Sequence, residues 1–189
     1  ELRRRLALKG FQTTARYDAL IASYLGGETV RTLNLFPIQN LRYGENPHQK
    51  AVLYGYTADA GPMGGKVLQG KELSYNNLLD LDAAWRAAVC HTAPAVAIVK
   101  HLSPCGIASN PVLAEAYRQA LASDPVSAFG GIVAANRVID ADSANEIKDL
   151  FVECVIAPGF SPEAQAIFAK KKNLRLVEMP DQKVEPLTE

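Results

Sequence analysis

Cysteine is scarce in this chain and poorly placed for bridging. There are three, Cys90, Cys105 and Cys154, an odd number at wide spacing with no C-x-x-C pair. That argues against a disulfide framework and for reduced thiols in a cytoplasmic protein. No apolar stretch reaches the roughly 18 to 20 residues a membrane span requires, and no segment has the layout of a signal peptide. Charge of one sign is not in excess either. Twenty basic residues offset 20 acidic ones, so nothing global favours nucleic acid or a membrane surface. Repeats and low-complexity tracts are missing, with 13 Gly and 11 Pro spread through the chain. Neither the phosphate-loop pattern G-x-x-x-x-G-K-[ST] nor the dinucleotide pattern G-x-G-x-x-G occurs.

What is there is ordinary for a globular protein. The 189 residues are 48% apolar and 21% charged, enough for one substantial core and a second small piece. The first residue is Glu1, not Met, so the chain is expected to be a piece of something longer.

Near the start, T-T-A-R-Y-D-A-L-I-A-S-Y-L-G-G predicts an amphipathic helix. A threonine caps it, Tyr17, Leu20, Ile21, Tyr24 and Leu25 share one face, and Gly26-Gly27 stops it. Strand-like fragments such as A-V-L-Y-G-Y follow, broken by Gly and Pro. N-N-L-L-D-L-D-A-A-W-R-A-A-V then predicts a helix through Val89, and A-V-A-I-V a strand. Beyond that the alternation is regular. N-P-V-L-A-E-A-Y-R-Q-A-L predicts a helix with Asn110 as N-cap and Pro111 at its first position. G-I-V-A-A and C-V-I-A-P read as strands, with a helix from Ser143 to Phe151 between them. S-P-E-A-Q-A-I-F-A-K-K-K-N predicts a helix capped by Ser161, with Pro162 at N1 and a lysine run at its negative end. L-R-L-V-E-M closes as a strand. Such alternation argues for a layered α/β fold with mostly parallel pairing.

In folds of that kind, ligands bind beyond the carboxyl ends of strands. Lys100 and His101 stand just past one. The histidine can take a proton from a weak nucleophile, and the adjacent cation can hold charge developing on an oxygen. Taken alone, the pair reads sooner as a lysine at a strand end beside a satisfied histidine than as an acid/base site. Gly130-Gly131 precedes its strand, so it calls for a loop folding back over the site. Pro104-Cys105-Gly106 lacks the second cysteine of the P-C-x-x-C zinc deaminase pattern, and His48 and His91 have no ligand-like spacing. A buried turn cysteine is the better reading of Cys105. L-R-Y-G-E-N-P-H-Q offers Arg42 for a phosphate or carboxamide and Tyr43 for stacking or donation, against the alternative of a plain loop with a turn at Asn46-Pro47. D-P-V-S-A-F-G-G reads, by itself, as a turn.

In this order L-R-Y-G-E-N-P-H-Q, S-Y-N-N-L-L-D-L-D-A-A-W, V-K-H-L-S-P-C-G, S-D-P-V-S-A-F-G-G and V-I-A-P-G-F resemble the bifunctional purine biosynthesis family. Its members join an AICAR transformylase (AICAR is aminoimidazole carboxamide ribonucleotide) to an IMP cyclohydrolase. The resemblance implies that residues 1–27 are terminal helices of the cyclohydrolase domain. Residues 28–189 would then be the first of two cytidine-deaminase-like halves of the transformylase domain: a layered mixed sheet with helices, and no zinc. The implied reaction moves a formyl group from 10-formyltetrahydrofolate to the 5-amino group of AICAR. By similarity His101 is the base and Lys100 its support. Arg42 and Tyr43 match nucleotide contacts, Asn77 a contact near the imidazole, Gly130 a backbone contact, and Glu153 an acceptor for the ribose hydroxyls. Some members carry alanine at Cys105, which argues against a thiol nucleophile. The small molecules AICAR and folate are the implied partners, in a cytoplasmic homodimer with no nucleic acid or membrane and no metal. Three other functions compete: a non-catalytic nucleotide-binding or dimerisation module, a metal deaminase, and a cyclohydrolase. The truncated chain is expected to be inactive alone.

Overall fold

The computed structural model describes residues 1–26, 33–57 and 61–179. The first element, α1 (Leu2–Gly26), is longer than its sequence pattern suggests and buries no residue. Thr13 and Thr14 do not cap it. Their hydroxyls donate back to the carbonyls of Lys9 and Phe11 inside the helix, so the run from Leu2 continues through them. The expected domain junction at 27/28 lies outside the described residues.

Two short strands, β1 (Phe36–Asn40) and β2 (Val52–Gly55), form an antiparallel pair. The rest is built on a six-stranded sheet. Its strands are β3 (Lys66–Gln69), β4 (Ala95–Lys100), β5 (Ser103–Ser109), β6 (Ile132–Ala135), β7 (Cys154–Ala157) and β8 (Arg175–Glu178), in the order β3-β8-β7-β6-β4-β5. Only β6–β7 and β7–β8 pair in parallel; β3–β8, β4–β6 and β4–β5 are antiparallel. The expectation of mostly parallel pairing is thus corrected. Pro104-Cys105-Gly106 is not a turn but lies within β5. The chain reverses one step earlier, in a two-residue hairpin that pairs Lys100 with Ser103. That reversal makes β5 parallel to β6, with β4 lying between them.

Both faces of the sheet are covered. Successive side chains of a strand point to opposite faces. Val96 and Ile98 of β4 therefore join Val133, Val155 and Leu176 in a core under α3 (Leu113–Ser123), α4 (Ala141–Ile147) and α5 (Pro162–Phe168). Ala97 and Val99 join Ile132, Ala134, Ile156 and Val177 in a second core under α2 (Tyr75–Val89), which contributes Leu81, Ala84, Trp85 and Ala88. The result is the layered α/β fold with a mixed sheet.

Helix starts differ from expectation in two places. α3 begins at Leu113 with Val112 as N-cap and no side-chain cap bond. Asn110 instead accepts from the Val112 amide as an Asx turn. α4 is capped by Asp140, which accepts from Ser143 N, and ends at Ile147, short of Phe151. Ser161 does cap α5, and Pro162 takes its first turn. The lysine run begins only after that helix has ended.

Candidate functional site

The sheet register explains why the sequence-distant candidates meet. Val99 pairs with Ile132, Ile132 with Cys154, and Cys154 with Arg175. One edge of the sheet therefore carries, in spatial order, the carboxyl end of β4 and the amino ends of β6, β7 and β8. Lys100, Gly130-Gly131, Glu153 and Arg175 stand there. The Gly-Gly segment reaches the site because β6 runs antiparallel to β4, so its start lies beside the end of β4. Three of the four strands thus present their amino ends, contrary to the carboxyl-end expectation.

Lys100 is half-buried and donates from Nζ to the Phe129 carbonyl at 2.8 Å. Gly130 has a φ of +78°, a left-handed conformation that glycine adopts without steric cost. Its amide donates to the Phe151 carbonyl at 2.8 Å, and a Cβ placed on it would come within 3.9 Å of Lys100 Nζ and 3.7 Å of the Phe151 ring. The Phe129 and Phe151 rings pack at 5.1 Å between centroids.

His101 and Leu102 form the tip of the β4–β5 hairpin, with φ of +52° and +63°. Two central residues with positive φ define a type I′ turn, usually filled by Asn-Gly or Asp-Gly. Each non-glycine residue in that region costs about 1–2 kcal/mol. An opposing interaction is visible: Asp80, on α2, accepts from Leu102 N at 2.8 Å and from His101 N at 3.2 Å. Hydrogen bonds to a charged group contribute about 1.5–3 kcal/mol each, enough to offset the strain. His101 itself is exposed.

One turn before Asp80, Asn77 does two things. With Ser74 it closes a capping box at the start of α2, and its Nδ2 donates to Glu153 Oε2 at 2.8 Å. The Arg175 guanidinium, almost wholly buried, lies 3.5 Å from the same Glu153 oxygen. It also donates to the carbonyls of Lys71 and Glu72. Arg42 is exposed and Tyr43 half-buried. Their backbones dock on the segment entering α2, with Arg42 N donating to Leu73 O and Tyr75 N to Tyr43 O, and the Arg42 guanidinium sits 5.3 Å from the centre of the Tyr43 ring. Arg42, Glu153 and Arg175 line a cleft of about 570 Å³ together with Lys71, Asp149 and Lys170 to Lys172.

The structure therefore joins Asn77 to Glu153, places Lys100 beside Gly130, and sets Arg42 and Glu153 on one cleft. Lys100 and His101 are not among the residues lining that cleft. Cys105 is half-buried in β5 rather than buried in a turn. Burial pushes its thiol up, Asp124 adds to this, and Lys100 opposes it, which is unfavourable for a nucleophilic thiolate. Among the described residues no three His, Cys, Asp or Glu side chains are grouped to hold a metal ion, and no helix is long and apolar enough to cross a membrane.

Sequence reasoning missed Asp80 and Arg175. For Asp80 a signal existed: it falls three residues after Asn77 in a predicted helix, hence on the same face. For Arg175 none did, because an arginine opening a strand reads as solvent-exposed.

An α/β domain with a polar cluster strung along one sheet edge and a lysine-rich cleft beside it is the class this fold and site define. The chain belongs to the AICARFT/IMPCHase bienzyme family, whose model matches residues 1–188. It is similar to three bifunctional purine biosynthesis proteins PurH. That of Trichormus variabilis is 52% identical over 190 residues, covering 100% of this chain and 38% of the relative. That of Rhodospirillum rubrum is 54% identical over 184 residues, covering 94% and 35%. That of Desulfitobacterium hafniense is 48% identical over 194 residues, covering 95% and 38%. The chain thus spans little more than a third of the length of these curated relatives.

Proposed function

We propose that this chain carries the nucleotide-side half of a formyl-transfer site in purine biosynthesis. The reaction passes a formyl group from 10-formyltetrahydrofolate to the 5-amino group of AICAR. The observation that carries the reading is the convergence of Lys100, His101, Gly130, Asn77 and Glu153 on one sheet edge beside a cleft lined by Arg42, Lys71, Lys170, Lys171, Lys172 and Arg175. Such a cleft suits a phosphorylated ligand.

The amine of AICAR is a weak nucleophile, since its lone pair is delocalised into the ring and carboxamide. His101 takes the amine proton as the new C–N bond forms. Lys100 stabilises the formyl oxygen as it becomes negative. The bond to the folate nitrogen then breaks, and that nitrogen leaves with a proton. Arg42 and Tyr43 hold the nucleotide, Glu153 accepts from the ribose hydroxyls, and Asn77 fixes the Glu153 carboxylate.

Calorimetric titration of AICAR into the chain, paired with kinetics of the full-length enzyme, tests this. Arg42→Ala weakens AICAR binding by about 1.5–3 kcal/mol, the range for a hydrogen bond to a charged group. His101→Ala leaves binding nearly unchanged but lowers kcat by roughly two to four orders of magnitude, and Lys100→Ala follows His101→Ala. If His101→Ala instead lost AICAR binding and kept kcat, His101 would be a ligand-positioning residue and the base assignment wrong.

A further inference from the structure

We propose that Asp80 is the positioning residue of the site: its carboxylate holds the strained hairpin on which His101 is carried. The role as positioner of a base rests on the formyl-transfer reading; the clamp itself does not. The geometry is specific. A two-residue hairpin that pairs Lys100 with Ser103 leaves His101 and Leu102 both at positive φ. Neither is glycine or asparagine, so local preference opposes the turn. The two amides at its tip converge on the two oxygens of one carboxylate, Oδ2 for His101 and Oδ1 for Leu102. That carboxylate comes from α2, a different element, which also carries Asn77, the hydrogen-bond partner of Glu153. One helix face therefore sets the positions of His101 and Glu153 together. The observed pairing of a reluctant turn with a charged clamp fixes the backbone of His101, and with it the origin of the imidazole.

The test compares Asp80→Asn, Asp80→Ala and the double variant Asp80→Ala/Leu102→Gly in the full-length enzyme. Amide hydrogen exchange at His101 and Leu102 should speed up by more than about 10-fold in Asp80→Ala, with Asp80→Asn intermediate because it keeps one acceptor. The amides of Val96 to Val99 in β4 should not change. Formyl transfer should lose about 100-fold in kcat, the scale of an ångström-sized misplacement, with the KM for AICAR moving far less. Adding Leu102→Gly removes the strain at one of the two positions and should recover part of that loss, which a residue needed only for folding would not allow. Unchanged exchange in Asp80→Asn and Asp80→Ala overturns the clamp. A kcat loss that Leu102→Gly does not repair overturns the positioning role. Should the wild-type enzyme show no formyl transfer, the functional reading fails and the exchange measurement alone decides the clamp.

Discussion

Tyr117 is almost fully buried in the core under α3, and its hydroxyl has no hydrogen-bond partner among the described residues. Burial pushes the phenol up to about 12, with Glu146 and Asp149 adding to the shift. Cys154, at the start of β7, is pushed up to about 12 by burial, against the opposing charge of Arg175. Both groups are neutral when protonated, and both hold their protons more tightly folded than unfolded. Their contribution to stability is therefore complete below the unfolded values of 9.0 and 10.0, and is lost as pH rises towards about 12. Tyr117→Phe should be neutral or up to about 1 kcal/mol more stable at neutral pH, since no hydrogen bond is given up. It should also lose less stability than the wild type between pH 9 and 12. Urea midpoints at neutral pH and near pH 10.5 check this; a clear loss at neutral pH would mean the hydroxyl has a partner. Nothing in A-E-A-Y-R-Q announces such a tyrosine, because periodicity tells which face is buried, not whether a hydroxyl is satisfied. The same limit hid the hairpin: His-Leu is not a turn signal, and the tip is held by a residue 21 positions away.

At the level of elements, β5 and α3 meet backbone to backbone at Gly106. A Cβ at that position would overlap the carbonyl of Ala120 and crowd Ser123. Gly106→Ala therefore has to push α3 away from the sheet, and should cost about 3 kcal/mol, the upper end of the range for overpacking. A urea midpoint lowered with an unchanged slope is the expected result, and an unchanged midpoint would show that α3 gives way freely. Most elements were legible from period and caps: α2, β4, β6, β7, β8 and the Ser161-Pro162 start of α5 follow their patterns. The failures have physical causes. In the sequence Asn110 reads as a helix cap because its Asx turn uses the same side-chain acceptor. The Thr13-Thr14 pair reads as a cap in the sequence because a threonine hydroxyl bonds back into a helix as readily as it caps one. Pro104 reads as a turn in the sequence, yet proline at a sheet edge keeps a strand while lacking only one donor; β5 is an edge strand.

For the molecule as a whole, strand order and direction were the least legible features, because they depend on which strands find each other rather than on any one segment. The layered architecture survived that gap; register alone brings Lys100, Gly130 and Glu153 to one edge of the sheet. The cleft did not emerge from the sequence, since Arg42 and the lysines at 170 to 172 are over 120 positions apart. The helix α1 raises the remaining question. It runs for 25 residues with none buried, and Phe11, Tyr17, Leu20, Tyr24 and Leu25 are each more than 60% exposed. In proteins most helical stability comes from packing of an amphipathic face rather than from propensity, and α1 carries Gly10 within it. An exposed apolar face of this kind marks an interaction surface. When the 189-residue chain is prepared by itself, a second copy is the one partner always present, so it should self-associate through α1. Sedimentation should show a mass rising with concentration, and the helical signal should rise with it. Leu20→Lys with Tyr24→Lys, one turn apart on the same face, should leave a monomer with less helix and an unchanged urea midpoint for the sheet domain. A chain that stays monomeric at every concentration while α1 remains fully helical would show that the helix needs no cover, and the argument from its exposed face would fail.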